Sequence, residues 1–259
     1  MKKLLLSAFV ICLAGTSIAQ ESPLWMRHCA LSPDGTTIAF TYKGDIYTVP
    51  STGGRATQIT TNPAFDTEPV WSPDSKQIAF ASDRMGSLDV FVVSSEGGAP
   101  QRLTTHSGSE KPVAYKDNKH ILFTANIAPS AEDAGFPSGQ FQQVYEVAVT
   151  GGRPAMFSSM PMECISINKE GVMLYQDKKG YEDYWRKHQV SPIARDIWTY
   201  TPGKKPVYQK QTTFGGEDRE PVWSPDGKSF YYLSEEKGSF NIFQRTPGTT
   251  TSQQITFHT

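Results

Sequence analysis

Three glutamates are the first candidates for chemistry in this sequence. Glu68, Glu163 and Glu220 each stand just before an apolar run, and an alignment of internal repeats gives them one shared position, which His28 and Lys111 hold in two other repeats. Carboxylates that meet in one cavity could bind a peptide amine, a basic side chain or a cation. The alternative is that each one caps a neighbouring loop or faces solvent, as charged side chains usually do.

A second candidate is an insertion at 178–194 that is rich in aromatic and basic residues. Tyr181, Trp185, Arg186 and His188 give it the composition of a protein-interaction hot spot. The same composition would suit a loop that packs on its own repeat or on a neighbouring domain. Both interpretations stay open from the sequence.

Patterns for catalysis or metal binding are missing from the sequence. The five histidines, at 28, 106, 120, 188 and 258, include no pair at metal-ligand spacing. A Gly-x-Ser-x-Gly nucleophile motif does not occur, and Ser107-Gly108-Ser109 lacks the required flanking glycines. We therefore expect no catalytic residue, no metal and no cofactor in this chain.

Four aspartates recur in a motif that is typical of tight turns. Asp34, Asp74 and Asp226 follow Ser-Pro, and Asp117 holds the equivalent place in a degenerate copy. Proline presets φ, aspartate accepts a backbone N–H two residues on, and a following glycine tolerates positive φ. We interpret these four aspartates as structural turn residues rather than catalytic ones.

The turn motif belongs to a repeat of four apolar runs. Its turn positions are separated by 40 residues (34 to 74), 43 (74 to 117), 52 (117 to 169) and 57 (169 to 226). The two shorter steps match the blade length of a β-propeller. The longer steps contain insertions at 128–140 and 178–194, which we expect to form loops.

These repeats predict an all-β fold, a β-propeller of four-stranded blades with five detectable blades. The central runs are almost continuously apolar, as expected where blades pack face to face and bury both sides of each sheet. The predicted propeller domain spans 20–259. Its blades lie at approximately 25–61, 66–105, 109–155, 160–213 and 217–259.

The first nineteen residues have the layout of a secretory signal peptide. Lys2 and Lys3 precede an apolar run, and small residues end it at Ala19, so cleavage after Ala19 and a periplasmic or secreted location are expected. Ile11 before Cys12 favours soluble export over a lipid anchor. No later run is long enough to span a membrane, and a net charge of −1 gives no reason to expect a nucleic-acid partner.

Two cysteines remain in the predicted mature chain. Cys29 falls in the first strand of blade one and Cys164 in that of blade four, on opposite sides of the predicted channel. That separation exceeds the reach of a disulfide, so we predict two free, buried thiols.

The repeats resemble the propeller repeats shared by the TolB periplasmic protein, tricorn-type serine peptidases and dipeptidyl-peptidase-like enzymes. The segment 180–188, GYEDYWRKH, leading into 194–198, ARDIW, resembles the corresponding stretch of bacterial tricorn-like peptidases, including secreted ones. The resemblance covers the mature chain but only the propeller part of such a peptidase. It implies a second propeller, a PDZ domain and a serine-peptidase core with all catalytic residues beyond Thr259.

The same resemblance implies six blades in the first propeller, whereas five are detectable here. An incomplete or open ring is therefore expected, with a closed five-bladed ring as the alternative. We predict a non-catalytic peptide- or protein-binding propeller, the substrate-guiding front part of a secreted tricorn-like serine peptidase, with downstream peptidase domains as partners. The alternative is a free-standing TolB-like periplasmic module that binds other proteins. A polysaccharide lyase built on a propeller ranks third.

Overall fold

The computed structural model describes residues 25–127, 141–181, 188 and 190–259. Within these residues the chain forms twenty β-strands and no helix, so none that is long and apolar enough to cross a membrane. The strands form five antiparallel four-stranded sheets, each following chain order from its first to its fourth strand. The predicted all-β propeller blades are confirmed. The predicted signal segment and the insertion at 128–140 lie outside the described residues.

The blades are numbered one to five along the chain, each with four successive strands. The strands are β1 Arg27–Leu31, β2 Thr37–Tyr42, β3 Asp45–Pro50, β4 Thr57–Gln58, β5 Asp66–Trp71, β6 Gln77–Ser82, β7 Asp89–Ser94, β8 Gln101–Arg102, β9 Lys111–Asp117, β10 His120–Ala125, β11 Gln143–Ala148, β12 Ala155–Ser158, β13 Met162–Ile167, β14 Met173–Asp177, β15 Ile197–Thr201, β16 Val207–Lys210, β17 Asp218–Trp223, β18 Phe230–Ser234, β19 Asn241–Arg245 and β20 Ser252–Gln254.

Successive blades pack through their first strands. Strand β1 contacts β5, β5 contacts β9, β9 contacts β13 and β13 contacts β17, whereas no contact of comparable extent joins β17 back to β1. The five blades therefore form a ring that is open between blades five and one. This arrangement agrees with the expected open ring and not with a closed five-bladed one.

Blade two buries one face against blade one and the other against blade three. Phe80 and Phe91 of blade two are buried in one cluster with Ala39 and Ile46 of blade one. On the opposite face of blade two, Ala79, Val90 and Leu103 pack with aromatic side chains of blade three. At these two junctions, large side chains of one blade pack against small ones of its neighbour.

The turn aspartates accept hydrogen bonds within their own turns. In blade one, Asp34 Oδ1 accepts from Ser32 Oγ at 2.6 Å and from the Thr36 amide at 2.9 Å. Asp74 and Asp226 accept equivalent serine hydroxyls at 2.7 and 2.6 Å. These hydroxyl bonds hold the pKa of each of the three carboxyls below its usual value.

Blades three and four, which have degenerate copies of the motif, close this turn with different hydrogen bonds. Asp117 accepts the amides of Lys119 and His120 at 2.7 and 2.8 Å. In blade four, Asn168 Oδ1 accepts the amides of Glu170 and Val172, and Gly171 has a φ of +78°, close to the +75° of Gly35. Asn168 therefore takes the place of Ser32, and the predicted turn position at 169 was wrong by one residue.

Buried carboxylates lie at the junction between blades two and three. Asp89 begins β7, Glu110 directly precedes β9, and both side chains are buried. Arg102 Nη2 lies 2.9 Å from Asp89 Oδ2. Desolvation, reinforced by the Asp89 charge, raises the pKa of Glu110 from 4.5 to about 7.

This raised pKa predicts a stability that falls as pH rises. Between roughly pH 4.5 and 7 the folded protein holds a proton that the unfolded chain has released, so folding is favoured at the acidic end of that window. The loss across it is on the order of 3 kcal/mol. Urea unfolding at pH 5 and pH 8 measures the difference, and Glu110→Gln should reduce it, whereas Glu96→Gln in an exposed turn should not. An unchanged pH dependence in Glu110→Gln would contradict the assignment.

Candidate functional site

The first strands of the blades line a central lumen. One cavity of about 820 Å³ lies at the end where these strands begin, and a second of about 640 Å³ lies toward the Ser-Pro-Asp turns. Both cavities are lined by Cys29, Val70, Val113, Cys164 and Glu220. Because they share these residues, the two cavities adjoin each other, and together we call them the lumen.

Four non-glycine residues with left-handed backbone conformation line the 820 Å³ cavity. His28, Glu68, Cys164 and Glu220 have φ values of 51°, 55°, 52° and 54°. Each begins a β-bulge in the first strand of its blade, in β1, β5, β13 and β17. A bulge redirects side chains, and this conformation normally favours glycine. We call these four residues the bulge ring.

The bulge ring corrects the predicted alignment. Glu163 pairs with Gln176 as Thr67 pairs with Ala81, so the residue equivalent to Glu68 in blade four is Cys164. Lys111 likewise pairs in the manner of Thr67. Counting back from the turns assigned Lys111 and Glu163 to the position of Glu68, whereas each is equivalent to the residue before it, Thr67. The count failed because blades three and four have turns of a different form. Even so, Glu68, Glu163 and Glu220 all line the same cavity.

The carboxylates of two of these glutamates form ion pairs inside the protein. Lys111 Nζ lies 2.7 Å from Glu68 Oε1, and Lys178 Nζ lies 3.0 Å from Glu163 Oε1. Arg195 Nε lies 3.3 Å from Glu163 Oε2. Burial alone would raise the pKa of Glu163, but Lys178 and Arg195 keep it below its usual value. The site is thus a mixed-charge wall.

Arg195 was not identified as a site residue from the sequence. Its Nη1 lies 2.6 Å from Glu217 Oε1, and its backbone amide donates to Glu217 Oε2 at 3.2 Å. The side chain is nearly buried and reaches the cavity from the loop before β15. Only its place in the segment ARDIW set it apart in the sequence, and nothing in the spacing connected it with Glu163.

Both cysteines are free, as predicted, but they are exposed to the lumen rather than buried. The bulges turn this part of the first strands toward the lumen, which the alignment did not anticipate. The walls nevertheless exclude much of the solvent around Cys164. Desolvation, followed by the charges of Glu220 and Glu163, raises the pKa of the Cys164 thiol to about 12. Glu68 acts in the same direction and Arg195 against it.

The two described residues of the second predicted set, Tyr181 and His188, do not join the lumen. Tyr181 is exposed, and the His188 amide donates to Glu235 Oε2 at 2.6 Å, which fixes this point of the insertion against blade five. Neither residue lines the two cavities of the lumen. Trp185 and Arg186 lie outside the described residues.

No metal site is found within the part of the chain that the structure describes. There, no group of three or more histidine, cysteine, aspartate or glutamate side chains is arranged to hold a metal ion. What the described lumen offers is a passage with charged groups at one end and apolar first-strand residues at the other.

Comparisons with known proteins bear on both the fold and the family. Residues 23–259 match the family described as the tricorn protease N-terminal beta propeller domain. Tricorn protease homolog 1 of Streptomyces coelicolor is 39% identical over 213 residues, which cover 82% of this chain and 19% of that protein. The chain thus spans about a fifth of the length of this relative.

Two solved structures are similar over most of the chain. The crystal structure of the tricorn protease superposes with a TM-score of 0.73 at 17% identity, covering 92% of this chain and 23% of that one. A putative TolB from Agrobacterium tumefaciens gives a TM-score of 0.69 at 14% identity, covering 90% and 81%. At these identities the likeness establishes the fold alone.

Proposed function

Since the chain belongs to the tricorn protease N-terminal β-propeller domain family, we propose that it is the non-catalytic, peptide-binding front part of a secreted tricorn-like serine peptidase. In this role its lumen guides peptide substrates toward a catalytic domain elsewhere in the protein. The amino-terminal segment typical of a signal peptide supports the secreted location.

The observation that carries this proposal is the lumen formed by two adjoining cavities. Its two cavities share five lining residues, so an extended peptide can occupy both at once. The charged end offers carboxylates, ammonium groups and a guanidinium, while Val70 and Val113 offer apolar contact further along. Binding sites of this type combine apolar walls with a few polar groups that fix orientation.

The open side of the ring supports further domains in the same protein. Val222, Ile242 and Ile255 of blade five are all exposed, by 38 to 56%. The matching side chains of blade one, Ile46 and Ile59, are covered by blade two and are 0 and 6% exposed. An apolar blade face of this kind is typical of an interaction surface. We propose that further β-structure, from the remainder of a longer peptidase, packs against it.

Blocking the lumen tests the guiding role. A bulky maleimide attached to Cys29, which lines both cavities, should abolish the binding of a short unstructured fluorescent peptide, measured by fluorescence anisotropy. Both proteins carry Cys164→Ser, so that the label cannot attach to this second thiol of the lumen. The matched control carries the same label at Thr52→Cys in a Cys29→Ser background, because Thr52 lies in an exposed turn of blade one. The control should bind like the unlabelled protein. Equal binding by both labelled proteins would contradict a role for the lumen.

A free-standing TolB-like periplasmic module is the second candidate function. It is favoured by one observation, that this chain covers 81% of the putative TolB structure but only 23% of the tricorn protease structure. Such a module would bind folded envelope proteins on its outer surface. Retention of a folded partner after the lumen is blocked would support it over the guiding role.

A further inference from the structure

We propose that a polar cavity between blades one and two binds a small neutral molecule with several hydroxyl groups, of the size of a mono- or disaccharide. The cavity has a volume of about 380 Å³ and lies on the side of the Ser-Pro-Asp turns. Of its lining residues, only Trp71 also lines the lumen. The proposed site is therefore distinct from the peptide-binding site and goes beyond that function.

The walls of this cavity present polar groups that are free to bind a ligand. Thr48 of β3 and Thr57 of β4 belong to blade one, and Ser95 and Glu96 belong to the turn after β7 in blade two. Within the described part of the chain, the side chains of these four residues make no hydrogen bond or ion pair. Thr48 is only 8% exposed. A largely buried hydroxyl without a partner costs free energy, which a ligand in the cavity can recover.

A difference between blade one and blade two creates the cavity. Thr57 holds the place in β4 that Gln101 holds in β8. The Gln101 side chain reaches the next blade, where its Nε2 atom lies 3.8 Å from the position that a Cβ atom would take at Gly151. At the equivalent Gly97, that position has only a backbone oxygen within 4 Å, because Thr57 is too short to reach it. The space that Gln101 occupies at the second junction is therefore open at the first.

The polar groups of the lining indicate the class of ligand. Asp34 and Glu96 are carboxylates, and no lysine, arginine or histidine is found among the described residues that line the cavity. An anionic ligand is therefore disfavoured. Asp34 Oδ1 already accepts hydrogen bonds within its own turn, from Ser32 and Thr36. Most of the unpaired groups are thus hydroxyls, which both donate and accept, and they match the hydroxyls of a sugar better than an ammonium, which only donates.

Apolar side chains supply the rest of the wall. Val49, Pro50, Ile59 and Trp71 line the cavity beside the polar groups. The indole N–H of Trp71 donates to the Ala30 carbonyl at 2.9 Å, which fixes the orientation of the ring. Ligand pockets of about 300–1,000 Å³ typically combine apolar walls with a few polar groups that orient the ligand. A sugar ring, with C–H groups on its faces and hydroxyls at its edge, suits this combination.

NMR titration of the full chain with simple sugars tests the inference. The neutral probes are glucose, galactose, mannose and N-acetylglucosamine, with glucuronate as the anionic and glucosamine as the cationic probe. We expect at least one neutral sugar to shift the amide signals of Thr57, Ser95 and Glu96 at millimolar concentration. Glucuronate should bind about tenfold less tightly than glucose, because its carboxylate meets that of Glu96. Shifts of these signals by glucosamine alone, or by none of the neutral sugars, would overturn the inference.

Two substitutions copied from blade two localise the binding. Thr57→Gln introduces the side chain found at the second junction and should weaken the binding of the neutral sugar by about tenfold or more. Thr48→Val, which matches Val92 of blade two, removes one hydroxyl and should weaken it about fivefold. Thr52→Gln, in an exposed turn of blade one, is the control and should bind as the wild type does. Wild-type affinity in both test variants would contradict the assignment of the site.

The protein with a blocked lumen separates this site from the proposed function. A maleimide on Cys29 should leave sugar binding unchanged, because Cys29 does not line the cavity between blades one and two. Loss of sugar binding in the labelled protein would place the sugar in the lumen and overturn the inference. Loss of peptide binding with sugar binding retained would support both proposals.

Discussion

Replacing Ile46 by alanine is expected to lower the free energy of unfolding by about 2–5 kcal/mol. The same replacement at Ile242 is expected to lower it by about 1 kcal/mol or less. The two isoleucines are structurally equivalent. Each is the second residue of the third strand of its blade, and each donates its amide to a threonine hydroxyl, at 3.0 and 2.9 Å. Ile46 is fully buried by blade two, whereas Ile242 is 38% exposed on the open face of blade five.

Urea unfolding of the two variants provides the comparison, and each is the matched control for the other. The backbone environment is the same, so a difference reports only what covers the side chain. Similarly large losses in both variants would show that a partner covers the face of blade five in solution, and would contradict the open ring. The difference between the two losses in free energy of unfolding therefore tests whether the ring is open at blade five.

Alkylation of Cys164 is expected to be about 50-fold slower than that of an ordinary cysteine. The pKa of its thiol rises from 9 to about 12, which lowers the reactive thiolate fraction by about a thousandfold at neutral pH. A more basic thiolate is a better nucleophile, and this recovers part of the loss, about 20-fold. The two effects together leave a reaction that is about 50-fold slower.

Mass spectrometry of the Cys164 peptide after timed exposure to a neutral alkylating reagent measures this rate. The same peptide in the urea-unfolded chain is the reference, because it has the same sequence without the burial and the surrounding charges. Glu163→Gln and Glu220→Gln should each speed the reaction in the folded protein. Alkylation of folded wild-type protein at the unfolded rate would contradict the raised pKa of this thiol.

The blades were predictable because turn chemistry and strand periodicity are local. The serine and aspartate of each Ser-Pro-Asp turn close their turn through atoms within a few residues, as seen at Ser32 and Asp34. The short spacing between such turns therefore allowed the repeat to be recognised in the sequence. Where the turn differs, as at Asn168 in blade four, the same counting misplaced the first strand by one residue.

The candidate site depends on non-local features, which limited its prediction. A β-bulge adds one residue to a strand and cannot be located from apolar periodicity alone, so Cys164 was assigned to a buried position that it does not occupy. The glutamates were found because two of them truly recur at the bulge, Glu68 and Glu220. Arg195 comes to Glu163 across 32 residues, a contact that only the folded blade creates.

Photo-cross-linking is the most direct test of the central claim that the lumen binds peptides. A lysine-containing unstructured peptide with a photoreactive benzophenone side chain is irradiated with the full chain, and the adducts are located by mass spectrometry. The account predicts adducts on the first strands that line the lumen, including the segments around Val70 and Val113. Adducts confined to the outer strands, such as β4, β8 and β16, or to the insertion at 178–194 would contradict it.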